Sequence, residues 1–286
     1  MFGILLVAIG TLTCEIGSAI GKVTLASNER RVYPLAVITN AGGGLLLVCL
    51  ALFVPADFFG PGIPGGFVFS LASLPFLLAR VVLEIIQVQV TLLAIARADR
   101  STFGFLRTIT LPLLLIVDLA LGYAVPEARL WGVMAIIVGL LFLFLNHGIS
   151  KKGSLLTLFG AVNAVITISI FKYDITHYNS VAVEQGLVIL AIVIYFWILS
   201  RRTRQYPLRM LCERRYWSQF ALSTVDTAAM SFAYLFAAAS VITAARRALA
   251  VLWAIGSGEL YFHERHILIK LISFAFVAGG IALLLV

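Results

Sequence analysis

The sequence predicts an all-α polytopic membrane protein: ten transmembrane helices arranged as two inverted five-helix repeats around a central cavity. Three observations carry that prediction. Of 286 residues, 62% are hydrophobic and only 12% charged, against about 25% charged in a soluble domain, and mean hydropathy is +1.06. The apolar residues lie in continuous runs, not in the two-residue alternation of a membrane barrel. A run of about 20 such residues spans the hydrocarbon with every backbone group bonded inside the helix. Ionisable side chains nevertheless stand singly inside these runs: Glu15, Arg80, Glu84, Asp118, Asp226, Arg246, Arg247 and Glu259. Facing lipid, these eight charges would cost roughly 20–28 kcal/mol. They are expected to face one another, or water, along a polar path through the bilayer.

Taken in order, the first run is 2–25. It has no basic leader and no small-residue cleavage site, so it is expected to be a retained span and not a signal peptide. Ser27-Asn28-Glu29-Arg30-Arg31 separates it from 33–54, and the Pro/Gly-rich stretch Gly60 to Gly66 leads into 67–96. That third run is overlong, and Pro75 is expected to kink it near its start. Arg97-Ala98-Asp99-Arg100 precedes 101–122, and 127–147 closes the first half. After His147 to Gly153 come 154–173 and 181–200, the basic loop Arg201 to Arg215, then 217–239, 241–262 and 266–286. The repeats are residues 1–149 and 150–286, within one integral membrane domain.

The repeat is read from spacing. Gly10 to Lys22 and Gly160 to Lys172 share their internal spacing at an offset of 150. Gly132-x6-Gly139 matches Ser273-x6-Gly280 at an offset of 141, which also lays Asp118 on Glu259. Five helices is an odd number, so the second copy inserts upside down, with a solute site expected near the midplane. The loops that hold Arg30, Arg31, Arg97, Arg100, Lys151, Lys152, the six arginines of 201–215 and Arg265 alternate with loops nearly free of basic residues. The positive-inside rule makes the basic set cytoplasmic and puts both termini outside.

Within the spans, polar residues form stripes at helical spacing. Thr11, Glu15, Ser18 and Lys22 make one, and Arg80, Glu84, Gln87 and Thr91 another, with Arg80 and Glu84 placed to pair at i,i+4. Asp226 and Tyr234 share a face of the eighth run, and Arg246 and Trp253 a face of the ninth. The solute-binding candidates are therefore Glu15, Arg80, Glu84, Gln87, Asp226, Tyr234, Arg246 and Trp253. Glu15, Glu84 and Asp226 are also candidates for proton coupling, since a carboxyl held away from water can change its protonation as the path opens. Arginines suit a carboxylate or phosphate, and Trp253, Tyr173 and Tyr234 suit stacking on a ligand, although such aromatics more often simply pack. Six inward cations (Lys22, Arg80, Arg107, Lys172, Arg246, Arg247) against five anions (Glu15, Glu84, Asp118, Asp226, Glu259) favour a zwitterionic solute over a strongly charged one. Lys22, Lys172, Arg107 and Glu184, near span ends, are expected to snorkel to the interface. Gly42-Gly43-Gly44 is expected to allow close helix packing.

Other classes find little support. The net charge of +8 gathers in loops without interleaved aromatics, so no nucleic-acid partner is expected. Cys14, Cys49 and Cys212 are scattered, which suits neither a metal site nor a disulfide framework. His147, His177, His263 and His266 sit at or beyond span ends, and His263-Glu264-Arg265-His266 is not an HExxH site. No phosphate-binding glycine loop occurs. Neither an enzyme nor a cofactor is expected.

Leu111-Pro112-Leu113, followed by Gly122, Pro126-Glu127, Gly132 and Gly139, and Gly258-Glu259-Leu260-Tyr261-Phe262-His263-Glu264-Arg265 leading to Gly279-Gly280-Ile281, resemble the repeat endings of the drug/metabolite transporter superfamily, in particular its EamA-like family. The resemblance covers the whole chain in layout and is specific in spans four, five, nine and ten. It implies an inverted-repeat bundle with a central cavity, exporting or exchanging small metabolites. Family members commonly have cytoplasmic termini, opposite to what loop charge indicates here, and the family has no single transferable binding motif. The expected function is a multi-pass secondary transporter of the plasma (inner) membrane, moving a small polar or zwitterionic metabolite by alternating access, with proton coupling. The alternative is a lipid-linked sugar flippase or a membrane subunit of a lipid-modification system. Its expected partners are the solute and the bilayer, with a homodimer left open.

Overall fold

The computed structural model describes residues 2–27, 31–54, 66–120, 127–146, 151–236, 239–262 and 267–284. Each apolar run folds as helix: α1 (Phe2–Ser27), α2 (Val32–Phe53), α3 (Leu74–Arg97), α6 (Glu127–Leu145), α7 (Ser154–His177), α8 (Val181–Arg202), α10 (Arg214–Phe236), α11 (Ala239–Phe262) and α12 (Ile267–Leu284). The fourth run is the exception, folding as two pieces, α4 (Arg100–Arg107) and α5 (Thr110–Ala120). A single turn, α9 (Pro207–Met210), lies in the basic loop. There is no strand among the described residues.

Six segments are long and apolar enough to cross a membrane: Leu5–Ala26, Val32–Phe53, Leu71–Arg97, Arg100–Val117, Ser154–His177 and Val181–Arg202. Leu130–Phe142 and Leu268–Leu283 are apolar but shorter. The surface is as apolar as the segments suggest, with Leu5, Phe53, Leu71, Val82, Phe144, Leu155 and Leu268 turned outward, while Arg80, Glu15, Glu184, Arg100 and Arg247 are buried. This inversion of the soluble pattern, in which Lys, Glu, Arg and Asp are almost never fully buried unless paired, fits a lipid-facing exterior. The protein is an all-α polytopic membrane protein.

Pro75 does not kink the third helix. It occupies the first turn of α3, after a 3-10 turn at Leu71–Ser73, where its missing N–H is not needed. The break between α4 and α5 has its own proline. Pro112 has no N–H to give the Thr108 carbonyl, and its ring crowds that carbonyl. The Leu111 N–H serves Thr108 at 2.9 Å instead, and Thr108 and Ile109 N–H bond back to Phe105 and Leu106 in tightened turns. The Thr108 and Thr110 hydroxyls donate to the Phe105 and Arg107 carbonyls at 2.7 and 2.8 Å.

The most extensive helix pairings join the two halves of the chain: α6 with α12, α1 with α10, α2 with α8, α2 with α10, and α3 with α7. All but α2 with α10 are antiparallel. Along α1, Gly3, Gly10 and Gly21 meet Phe236, Met230 and Gln219 in turn, in reverse order on α10. Two crossings are reciprocal. A Cβ on Gly139 would fall 3.0 Å from the Ser273 carbonyl, and one on Gly280 would fall 2.5 Å from the Gly132 carbonyl. On α2 and α8, Gly44 faces Ile189 while Gly186 faces Leu47. The Gly42-Gly43-Gly44 run packs closely, against Thr224, Thr227 and Ile189 respectively.

Candidate functional site

The break after α4 ends that helix on Arg107 and turns the chain toward α11. The guanidinium of Arg107 stacks over Phe103, 5.0 Å from the ring centre. Arg247 of α11 donates from Nε to Thr110 Oγ1 at 3.2 Å, so α11 is fastened to the first residue beyond the break. One residue earlier, Arg246 places Nη2 between both carboxylate oxygens of Asp226, at 3.1 and 3.2 Å, and 3.5 Å from Cys14 Sγ. On α3, Gln87 is fixed by Asn163 of α7, whose Nδ2 donates to Gln87 Oε1 at 2.8 Å and to the Leu83 carbonyl at 2.9 Å. Gln87 in turn donates to Thr91 Oγ1 at 3.2 Å.

These side chains surround two cavities that meet in the middle of the bundle. The first, about 220 Å³, is lined by Arg80, Glu84, Gln87, Arg107, Thr167, Phe171, Gln185, Asp226, Thr227, Met230, Ser231, Tyr234, Thr243, Arg246 and Arg247, among others. The second, about 230 Å³, is lined by Thr13, Cys14, Ser18, Thr39, Asn40, Gln87, Thr91, Arg107, Gln219, Ser223, Asp226 and Thr227, among others. Gln87, Arg107, Asp226 and Thr227 belong to both. The first cavity runs toward the α7–α8 turn, since Arg80, Gln185 and Thr243 lie near that end of their helices. The second runs toward the basic loops, near which Thr39 and Gln219 lie.

A buried ion pair lies toward each end. Near the α7–α8 turn, Arg80 donates to Glu184 Oε1 at 2.9 Å, with 2% and 0% of the two side chains exposed. Arg80 also bonds Gln185 and lies 4.3 Å over the Phe171 ring. Asn179 donates to Glu184 Oε2 at 2.7 Å and to Ser73 Oγ at 2.9 Å, tying the turn to the start of α3. Toward the basic end, Glu15 pairs with buried Arg100. Lys22 donates to the Ala98 carbonyl at 2.9 Å. Gly153, at φ +70°, closes the same corner; a Cβ there would lie 2.7 Å from the Ala98 nitrogen.

The structure brings together Arg80, Glu84, Gln87, Asp226, Tyr234 and Arg246 at one cavity, as the stripes suggest, and departs from them elsewhere. Glu15 lines neither cavity; its carboxylate is taken by Arg100. Trp253 is 44% exposed on the outer surface, so it packs outward and stacks on nothing in the cavity. Tyr173 also faces outward, 5.4 Å from Phe76 and 4.5 Å from His177 between ring centres. Arg80 pairs with Glu184 and not with Glu84. The reason is that a carboxylate with no exposure requires a cation, whereas Glu84 borders the cavity. Glu184 therefore does not snorkel, and neither does Arg107, which reaches the centre. The side chains of Asp118 and Glu259, and residues 263–266, lie outside the described residues.

Reasoning from sequence counted Arg107 and Arg247 as inward cations but named neither as a binding candidate, and it missed Arg100, Glu184, Asn163 and Asn179 as members of this polar interior. For Arg107 a signal existed: Pro112 five residues on, which breaks the helix in mid-span. For the others none did, because each depends on which helices are neighbours. No group of three or more His, Cys, Asp or Glu with metal-binding geometry occurs among the described residues. No family of known proteins, and no characterised protein, matches this sequence.

Proposed function

We infer that this protein is a secondary transporter that moves a small polar metabolite by alternating access. The observation that carries the reading is the pair of cavities running toward opposite ends of the bundle and meeting at Gln87, Arg107, Asp226 and Thr227. A solute held at that layer needs only local rearrangement to pass from one cavity to the other. The break between α4 and α5 at the same depth is a further support, since discontinuous helices commonly build carrier sites.

In this reading the chain crosses the plasma membrane ten times, as two five-helix repeats of opposite orientation. The reciprocal contacts support it. Gly139 over Ser273 and Gly280 over Gly132 are interchanged by an offset of 141, and Gly44–Ile189 and Leu47–Gly186 by 142. Reciprocity of that kind is what a twofold axis produces. Because the paired helices are antiparallel, such an axis lies across them, in the plane of the membrane. Lys22 and Lys172 agree, each donating to a carbonyl near the end of its own repeat's third helix, Ala98 and Tyr234. An EamA-like drug/metabolite transporter has this layout.

Counterflow in proteoliposomes, with a panel of labelled metabolites, tests the proposal. Accumulation of at least one solute, lost on trypsin-sensitive unfolding of the protein, is expected. If correctly folded protein moves none of them, the reading fails, and tightly copurifying lipid would then favour the flippase alternative. Proton coupling belongs to Glu84 and Asp226 in this reading, so Glu84→Gln or Asp226→Asn should flatten the pH dependence of uptake.

A further inference from the structure

Among the described residues, the charge around the first cavity does not balance. Four guanidiniums line it, those of Arg80, Arg107, Arg246 and Arg247, against two carboxylates, Glu84 and Asp226. The near-balance expected from the sequence counted Asp118 and Glu259, whose side chains lie outside the described residues. Lys22 and Lys172 spend their charge on backbone carbonyls, and Glu15 is engaged by Arg100 away from the cavity. Glu184 neutralises Arg80 from beyond the lining, so against the three carboxylates Glu84, Asp226 and Glu184 the described wall keeps one net positive charge.

The guanidiniums without an ion pair of their own among the described residues are Arg107 and Arg247. Arg80 has Glu184, and Arg246 has Asp226. Neither Arg107 nor Arg247 makes an ion pair among the described residues. The carboxylates whose field reaches Arg107 are Glu15 and Asp226, both already held by other arginines. Arg247 is only 4% exposed, uses Nε on Thr110, and lines the cavity. Arg107 and Arg247 are also within electrostatic reach of each other. Two like charges held together in a poorly hydrated site are costly unless an anion joins them, and the planar forks of arginine match a carboxylate or phosphate.

We propose that Arg107 and Arg247 form the docking site for an anionic group, a carboxylate or a phosphate, on the transported solute. The assignment rests on the transporter reading and narrows it: the solute carries net negative charge. The cavity of about 220 Å³ is small beside drug pockets of roughly 300–1,000 Å³, so it suits a small organic anion. Phe171 and Met230 offer its carbon portion an apolar wall. Both guanidiniums flank the α4–α5 break, so the anion would bind where the helix is already open.

The test is ligand-dependent thermal stability of the purified full-length protein in detergent, at constant ionic strength. The probes are inorganic phosphate, acetate, acetamide and methylammonium. Phosphate or acetate should raise Tm with saturation, and whichever acts more strongly identifies the anion class. Arg107→Gln and Arg247→Gln should each weaken that binding about tenfold or more, with Arg107→Lys and Arg247→Lys retaining part of it. The proposal is overturned if no anion stabilises the protein, if acetamide or methylammonium does so equally, or if the anion effect survives in the glutamine variants. Should those variants fail to fold, inhibition of wild-type counterflow decides: anions must compete and methylammonium must not. Binding of anions without any flux would sink the transporter reading and leave this site standing. Flux of a cationic or neutral solute, indifferent to anions, would do the reverse.

Discussion

At the scale of single residues, burial decides which ion pairs form. Glu184 has no exposed surface, so it takes Arg80 from across the bundle, while Glu84, one turn from Arg80 on the same helix, is left to the cavity. Removing one partner of a fully buried pair leaves an uncompensated charge, which typically costs about 3–5 kcal/mol. Glu184→Ala should therefore lower the unfolding free energy by that order in a detergent denaturation series, and it would also leave the Asn179 amide with Ser73 as its remaining acceptor. The outward-facing Trp253 gives the contrast. Trp253→Leu exchanges one apolar surface side chain for another, so stability should stay within about 0.5 kcal/mol and uptake should be unchanged. Reduced uptake by that variant would mean the ring reaches the solute after all.

Among the helices, the two features that matter are a proline and a set of glycines. Pro112 opens the fourth helix beside the cavity and leaves Arg107 at the end of a short segment. Pro112→Ala restores a donor for the Thr108 carbonyl and favours a continuous helix. The expected result is an unchanged or higher Tm together with at least about a tenfold loss of uptake, since a straightened helix moves Arg107. Unaltered uptake would show that the break has no part in the site. The α6–α12 crossing provides a graded series. Gly280→Ala drives a methyl to 2.5 Å from the Gly132 carbonyl and should cost about 1–3 kcal/mol. Gly279→Ala, with nothing within 4 Å, should cost almost nothing. Equal effects from the two substitutions would contradict the crossing.

For the molecule as a whole, the proposed inverted repeats and the alternation of basic loops make a prediction about how the bundle sits in the membrane. In a background with Cys14, Cys49 and Cys212 replaced, single cysteines at Tyr206 and Tyr178 should be labelled from opposite faces by an impermeant maleimide. Tyr206, in the basic loop, should be reached from the cytoplasmic side. Labelling of both positions from one face would refute the topology.

The helical, membrane-embedded class was legible because a bilayer leaves a chain so few options. Long apolar runs must bond their own backbone, and that constraint is local in sequence. Most helix limits followed from the same runs, but the third helix began at Leu74 and not at 67, the break before Pro112 was not anticipated, and Pro75, expected to kink, fell harmlessly in the first turn. Helical spacing likewise put Arg80, Glu84 and Gln87 on one face before any neighbour was known. Tertiary structure alone decided which charges cancel. Glu15 met Arg100 and Glu184 met Arg80 across separations of 85 and 104 residues. Such pairings depend on helix adjacency, which apolar periodicity does not encode, because every lipid-facing or buried stripe looks equally hydrophobic. The central arginines that make no ion pair among the described residues, on which the proposed anion site rests, became visible only once those partners had been assigned.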